Sequence, residues 1–201
     1  VLSGAVTGYK GTAGSAGLGG VGVVGFDLTV VNGGSISGGL SGDGVTRADA
    51  IDFYGTSRLT TLGSGTLTGN IGNGGVLTLL QTGSSAAYAN IITGAGALAI
   101  TTAAGTMVSL SGANTYSGGT TVTTGSTLAI NNSQSIGSGA LTLQSGSTLN
   151  MTAPGLSLGN AISVAGIAAI AHETEARVTG PLVEVVSPVR LVTTGPGRPD
   201  V

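Results

Sequence analysis

The chain has 201 residues, and Gly, Ser and Thr together make up 88 of them. Charged residues are only 7% of the chain and the net charge is −2, which excludes ordinary helical surfaces lined with Glu–Lys pairs. The lack of a basic excess argues against nucleic-acid binding, and the absence of Cys excludes disulfides, thiolate metal sites and thiol nucleophiles. Leu, Val, Ile and Phe still supply 52 residues, which is enough apolar material for a core.

The N-terminal part of the sequence differs in composition from the repetitive part that follows it. Residues 1–25 are rich in Gly, and we expect them to form lead-in coils ahead of the regular repeats. A strand-like run follows at residues 26–31, and a charged segment extends from Asp43 to Arg58. Residues 59–172 then contain no Asp, Glu, Lys or Arg. We predict that residues 26–167 form one stack of strand repeats.

Short alternating runs recur within this stack. Each run places two apolar side chains on one face, with a small or polar residue between them. This alternation is typical of short, half-buried strands separated by turns rich in Gly, Ser and Asn. The runs are residues 77–79, 98–100, 108–110, 128–130, 141–143, 149–151 and 162–164.

A longer period decides the predicted architecture. The interval from Leu128 to Leu149 is the same as the interval from Leu141 to Ile162. Such recurrence is typical of a parallel β-helix, in which each coil contributes two or three strands and stacks on the next. The sequence therefore predicts an all-β, right-handed parallel β-helix (solenoid) with about 20–22 residues per coil. An antiparallel meander or sandwich and a disordered chain are the alternatives, but neither requires this recurrence.

Residues 168–201 break the pattern and are predicted to form an irregular tail. They hold four of the five prolines, half of the charged residues and only three glycines. Pro cannot donate to a strand ladder, so a further regular coil is disfavoured. Two interpretations stay open. The tail is either a capping or linker segment, with residues 182–186 docked as an edge strand, or unrelated sequence that follows a reading-frame slip near residue 168.

One segment carries a family motif. Residues 110–122 read Leu-Ser-Gly-Ala-Asn-Thr-Tyr-Ser-Gly-Gly-Thr-Thr-Val, and this run resembles the passenger-associated transport repeat of bacterial autotransporters. Gly-rich flanks at residues 125–128 and 136–141 are similar to such passengers, and the resemblance covers about residues 20–165. The motif residues are Ser111, Gly112, Asn114, Thr115, Tyr116, Gly118, Gly119 and Thr120.

The resemblance implies a structural, non-catalytic fragment of a passenger at the surface of a Gram-negative bacterium, or secreted from it. The implied partner is a C-terminal β-barrel translocator elsewhere in the full-length chain, and the passenger would serve as a stalk with adhesion or self-association. No catalytic residue, cofactor, metal or nucleic acid is expected. The motif itself suits a structural role, since Asn114 favours a turn, Gly118 and Gly119 permit positive φ, and Tyr116 is expected to pack across the turn.

Other patterns that suggest chemistry are weak at this glycine content. Residues 155–159 match the nucleophile-elbow pattern around Ser157, but that elbow needs a following helix, a His and an acid. Residues 17–22 and 20–25 match a dinucleotide fingerprint, yet a strand-like run follows where a helix is required. His172 is the only histidine, which argues against a zinc motif. Only two Thr-x-Thr runs occur, whereas an ice-binding face would need one on each coil.

An acidic cluster of Asp43, Asp49 and Asp52 keeps a second function open. A β-helix enzyme acting on polysaccharide would use such carboxylates for acid–base chemistry or to hold Ca²⁺. Asp49 and Asp52 have odd spacing, however, so a continuous strand would place them on opposite faces. With Arg47 and Arg58 nearby, we expect a solvated patch of salt bridges instead. A flexible, Gly-rich matrix protein is the other alternative function.

Overall fold

The computed structural model describes residues 5–8, 17–172 and 176–194, with side chains up to residue 181. Parts of the predicted lead-in (1–4 and 9–16) and of the predicted tail (173–175 and 195–201) lie outside the described residues. Every regular element in the described residues is a strand, so they include no helix that could cross a membrane. The strands are β1 (Ala5–Thr7), β2 (Val23–Phe26), β3 (Thr29–Asn32), β4 (Ser35–Ser37), β5 (Ile51–Tyr54), β6 (Thr56–Thr61), β7 (Thr66–Thr68), β8 (Ile71–Asn73), β9 (Val76–Gln81), β10 (Ala86–Tyr88), β11 (Ile92–Thr93), β12 (Ala97–Thr102), β13 (Val108–Leu110), β14 (Thr120–Val122), β15 (Thr127–Ile130), β16 (Leu141–Leu143), β17 (Thr148–Met151), β18 (Ser157–Leu158), β19 (Ile162–His172), β20 (Arg177–Val178) and β21 (Leu182–Thr194).

The strands stack in parallel as a β-solenoid of about six turns, and they form three faces. Face 1 consists of β3, β6, β9, β12, β14, β16 and the first part of β19. Face 2 holds β1, β4 and β7 and, further along the stack, β10, β13, β15, β17 and the last part of β19. Face 3 holds β2, β5, β8 and β11, and later β18 and β20. The all-β, parallel stacked fold predicted from the sequence is confirmed.

Strand register confirms the predicted length of a coil. Thr56 pairs with Val76, and Val76 pairs in turn with Ala97 on the next coil. Further along, Thr120 pairs with Leu141. A parallel ladder keeps each residue beside the residue one coil later, so the offset between these partners is the period that the sequence repeats.

One coil near the start is longer than the others, since Thr29 of β3 pairs with Arg58 of β6. The additional length lies in the connection between β4 and β5, residues 38–50, which folds back through an antiparallel bridge between Leu40 and Arg47. This loop carries Asp43 and returns the chain to face 3 just after Asp49. The conformation of this loop therefore determines the positions of Asp43 and Asp49.

Apolar side chains alternate inward along the strands and stack in columns from coil to coil. One column runs through Leu79, Ile100, Val122, Leu143 and Val164, all of which are buried. Burial of each such side chain contributes about 1.5–3 kcal/mol. The core is consequently a continuous apolar rod, in which each coil is stabilised by its two neighbours.

Strands continue past residue 167, where the regular repeats were expected to end. β19 passes without interruption from face 1 to face 2 and bends at Gly166, whose φ is +90°. β21 pairs in parallel along β19 with register shifts after Ile162 and Ala165, and this irregular pairing agrees with the irregular tail predicted from the sequence. Residues 182–186 are docked by that pairing, as the capping interpretation requires, and the reading-frame interpretation stays a prediction.

Candidate functional site

Asn114, at the centre of the predicted repeat motif, ties its coil to both neighbours. Its side chain is buried, and Oδ1 accepts a hydrogen bond from the Ile92 backbone N–H at 2.7 Å. Nδ2 donates to the Ser135 carbonyl at 2.5 Å. Ile92 lies one coil earlier and Ser135 one coil later, so the amide satisfies buried backbone groups on both sides of its own coil.

Tyr116, two residues after Asn114, belongs to the hydrophobic core. Its side chain is fully buried, and its hydroxyl lies 2.5 Å from Thr120 Oγ1. Thr120 Oγ1 donates to the Ile136 carbonyl at 3.1 Å, so its oxygen accepts the hydrogen bond from Tyr116. Burial raises the pKa of the Tyr116 phenol, which therefore stays neutral and serves as a hydrogen-bond donor. The ring is buried and lies beside Gly137 of the next coil.

The remaining motif residues also make contacts between coils. A Cβ on Gly118 would lie 2.5 Å from the Gly96 backbone, so only glycine lets the two coils approach there, and Gly119 has a φ of +86°. A Cβ on Gly112 would likewise meet the preceding coil, 2.4 Å from the Asn90 carbonyl oxygen. The backbone N–H groups of two further motif residues, Ser111 and Thr115, donate to carbonyls of the preceding coil. These contacts hold the coils together.

Four further asparagines bridge coils, and the sequence analysis did not single them out. Asn90 and Asn160 each donate to two carbonyls of the preceding coil. Asn32 and Asn73 each accept the N–H of the residue two positions on, and each donates to a carbonyl of the next coil. The tripeptide Asn-Gly-Gly, which occurs at 32–34 and at 73–75, was the signal that could have identified the second pair.

The three predicted acidic residues do not come together. Asp43 is exposed in the 38–50 loop, where its carboxylate accepts the N–H groups of Val45 and Thr46. These two hydrogen bonds lower the pKa of Asp43, and they show that its role is to hold the turn. The predicted salt-bridge partner Arg47 instead donates to Ser37 Oγ at 2.9 Å and to the Gly38 carbonyl at 2.6 Å.

Asp49 and Asp52 do meet, and the expectation that they lie on opposite faces is wrong. Asp49 precedes β5 and lies outside the strand, so strand alternation does not govern its side chain. The two residues line the same depression. Desolvation raises the pKa of Asp52 to about 6, and the neighbouring carboxyl group and charge of Asp49 act in the same direction. Asp52 Oδ1 is buried and has no hydrogen-bond partner among the described residues.

Two aromatic rings lie beside this pair on the outer side of face 3. Phe26 in β2 pairs with Tyr54 in β5, and their rings stack with centroids 5.1 Å apart and planes inclined by 30°. Phe26 is 74% exposed and Tyr54 is 38% exposed, so the stack faces solvent. The next coil offers Gly72 in β8 and Gly74 just after β8 on this side, and the Asp52 carboxylate and the Tyr54 ring lean over them.

The missing side chains of these glycines leave a depression of about 270 Å³, which we call the face-3 depression. Asp49, Asp52 and Tyr54 line one side of it, and Thr93 lies opposite on β11. The arrangement combines an exposed aromatic surface, a carboxyl pair and the hydroxyls of Tyr54 and Thr93. Such a site can bind a small, hydroxyl-bearing or cationic group.

The two glycine patterns from the sequence do not lie in the contexts that their chemistry requires. Ser157 lies in the short strand β18, its hydroxyl is 3.4 Å from Thr179 Oγ1, and strand β19 follows where an elbow would need a helix. Residues 17–22 lead into strand β2. Both matches are therefore consequences of the high glycine content.

Comparison of the chain with protein-family models, with curated proteins and with solved structures gives no significant match.

Proposed function

We propose that this chain is a structural stalk segment of an autotransporter passenger, exposed on or secreted from a Gram-negative cell. The observation that carries the proposal is the Asn114 motif, whose polar groups are used for contacts between coils. The uncharged stretch of residues 59–172 supports it, because this large part of the stack lacks the charged side chains that catalytic sites normally employ.

The coil architecture is suited to export through a C-terminal β-barrel. A coil in a solenoid contacts only its neighbours, so folding can propagate from one coil to the next as the chain emerges. Each new coil buries apolar side chains, such as Leu128 against Val108 and Leu149 against Leu128. Each such burial contributes about 1.5–3 kcal/mol, which opposes return of the emerged segment through the barrel.

The test places this chain between a signal peptide and a β-barrel translocator, and it follows the appearance of protease-accessible chain on intact cells. Leu128→Asp and Leu149→Asp introduce an unpaired charge into the core, and each should slow surface appearance and reduce protease resistance. The matched control is Thr148→Asp, since Thr148 is adjacent to Leu149 but points outward. Normal export and protease resistance of both core variants would refute the proposal.

A polysaccharide-acting enzyme is the second candidate function, favoured by the Asp49–Asp52 pair beside the exposed rings. Glycosidases use two carboxyl groups as acid and as base or nucleophile, and Asp49 and Asp52 supply two carboxyl groups to one depression. Carbohydrate cleavage that disappears in the Asp43→Asn, Asp49→Asn, Asp52→Asn variant would favour the enzyme over the stalk.

A further inference from the structure

The exposed Phe26–Tyr54 stack requires an explanation that a stalk does not supply. The chain contains only six aromatic residues, and one of its two phenylalanines is 74% exposed in a strand of the solenoid. Val24, on the same outward side of β2, is 61% exposed. A contiguous apolar surface of this kind on a polar protein is characteristic of a binding site.

The face-3 depression next to the rings has a negative charge and no cation in its lining. Asp49 and Asp52 both line it, and the buried Asp52 Oδ1 has no donor among the described residues. A buried carboxylate oxygen without a donor costs free energy, and a ligand that brings a positively charged donor would remove that cost. Charge complementarity therefore favours a cationic ligand and disfavours an anionic one.

The size and shape of the site restrict the ligand further. The depression has a volume of about 270 Å³, just below the roughly 300–1,000 Å³ that holds drug-sized ligands, so it has room for about one six-membered ring. The Tyr54 ring lines the depression and also stacks on Phe26, which extends a flat apolar surface beyond it. A ligand with one apolar face, hydroxyl groups at its rim and an amine fits these features together.

We propose that face 3 binds a glycan whose pyranose rings carry free amines, as in an oligomer of glucosamine. The apolar face of one ring packs on Tyr54 and Phe26, and the ammonium group donates to the Asp49–Asp52 pair while it interacts with the aromatic faces. The hydroxyls of Tyr54 and Thr93 bind the ring hydroxyls. The chain would thus be a carbohydrate-binding surface in addition to a stalk, and this inference does not depend on export.

Titration calorimetry of the purified chain with a glucosamine oligosaccharide tests the proposal. We expect binding that is weakened about tenfold by Phe26→Ala and by Asp52→Asn, because each removes one of the two interactions. Ile167→Ala is the matched control: Ile167 is also an exposed apolar residue, but it lies on β19, and this variant should bind like the wild type. Circular dichroism of all three variants should match the wild type, since none of the changes reaches the core.

Four comparison ligands separate the possible sources of binding. An N-acetylated oligomer and a neutral glucose oligomer should bind more weakly than the amine, and an oligogalacturonate should not bind. Equal binding of the N-acetylated oligomer would overturn the role of the carboxyl pair. Tighter binding of a lysine-rich peptide would assign the face to a protein partner, and no binding of the glucosamine oligomer, or unchanged binding in Phe26→Ala, would overturn the proposal as a whole.

Discussion

Replacement of Asn114 by Ala tests how the repeat motif stabilises the solenoid. The substitution removes the acceptor of the Ile92 N–H and the donor to the Ser135 carbonyl, and both of these hydrogen bonds are buried. Each unpaired buried group costs about 1–3 kcal/mol, so with partial relaxation we expect a loss of about 2–4 kcal/mol in the free energy of unfolding. This loss is a large fraction of the roughly 5–15 kcal/mol that stabilises a typical domain.

Urea denaturation followed by circular dichroism measures the effect, and Asn150→Ala is the matched control. Asn150 lies on the outward side of β17, so its replacement should change stability by less than about 0.5 kcal/mol. Amide hydrogen exchange gives a local readout, because the Ile92 N–H should lose protection in Asn114→Ala alone. The reasoning is refuted if both variants unfold at the same urea concentration and Ile92 keeps its protection.

Three further predictions concern single side chains. Gly118→Ala should lower the free energy of unfolding by about 1–3 kcal/mol in urea titrations, because its Cβ would collide with the preceding coil, whereas Gly159→Ala, with open space around it, should be nearly neutral. The pKa of Asp52 is about 6 in the folded chain against an ordinary 3.8, so the folded state binds more protons between these values and stability falls as pH rises from about 4 to 6. Asp52→Asn should therefore stabilise the chain at pH 7 by about 1 kcal/mol, after allowance for solvent screening, and an unchanged melting temperature would contradict this. Tyr116→Phe should cost about 1 kcal/mol in thermal unfolding through the lost hydrogen bond to Thr120, and a neutral result would show that the packed ring alone suffices.

The sequence by itself determined the coil length and the composition of the core. Parallel stacking places each residue beside the residue one coil later, so apolar pairs such as Leu128–Ile130 must recur at 149–151, and this recurrence is visible without a structure. Positive φ was expected at Gly118 and Gly119 and occurs at Gly119, whereas Gly118 is needed for close backbone approach, which the sequence did not indicate. The other features are local or strictly periodic, and for that reason they can be predicted from the sequence.

Only the tertiary structure decided which polar residues meet. Phe26 and Tyr54 are paired across the long coil that the 38–50 loop creates, and their offset breaks the period of the later coils. The same loop returns Asp49 to the edge of β5 in a non-strand conformation, where it contacts Asp52 although their spacing predicted opposite faces. Loop closure and side-chain desolvation depend on atoms from several coils at once, so no pattern within a single coil could have placed the aromatic rings beside the carboxyl pair.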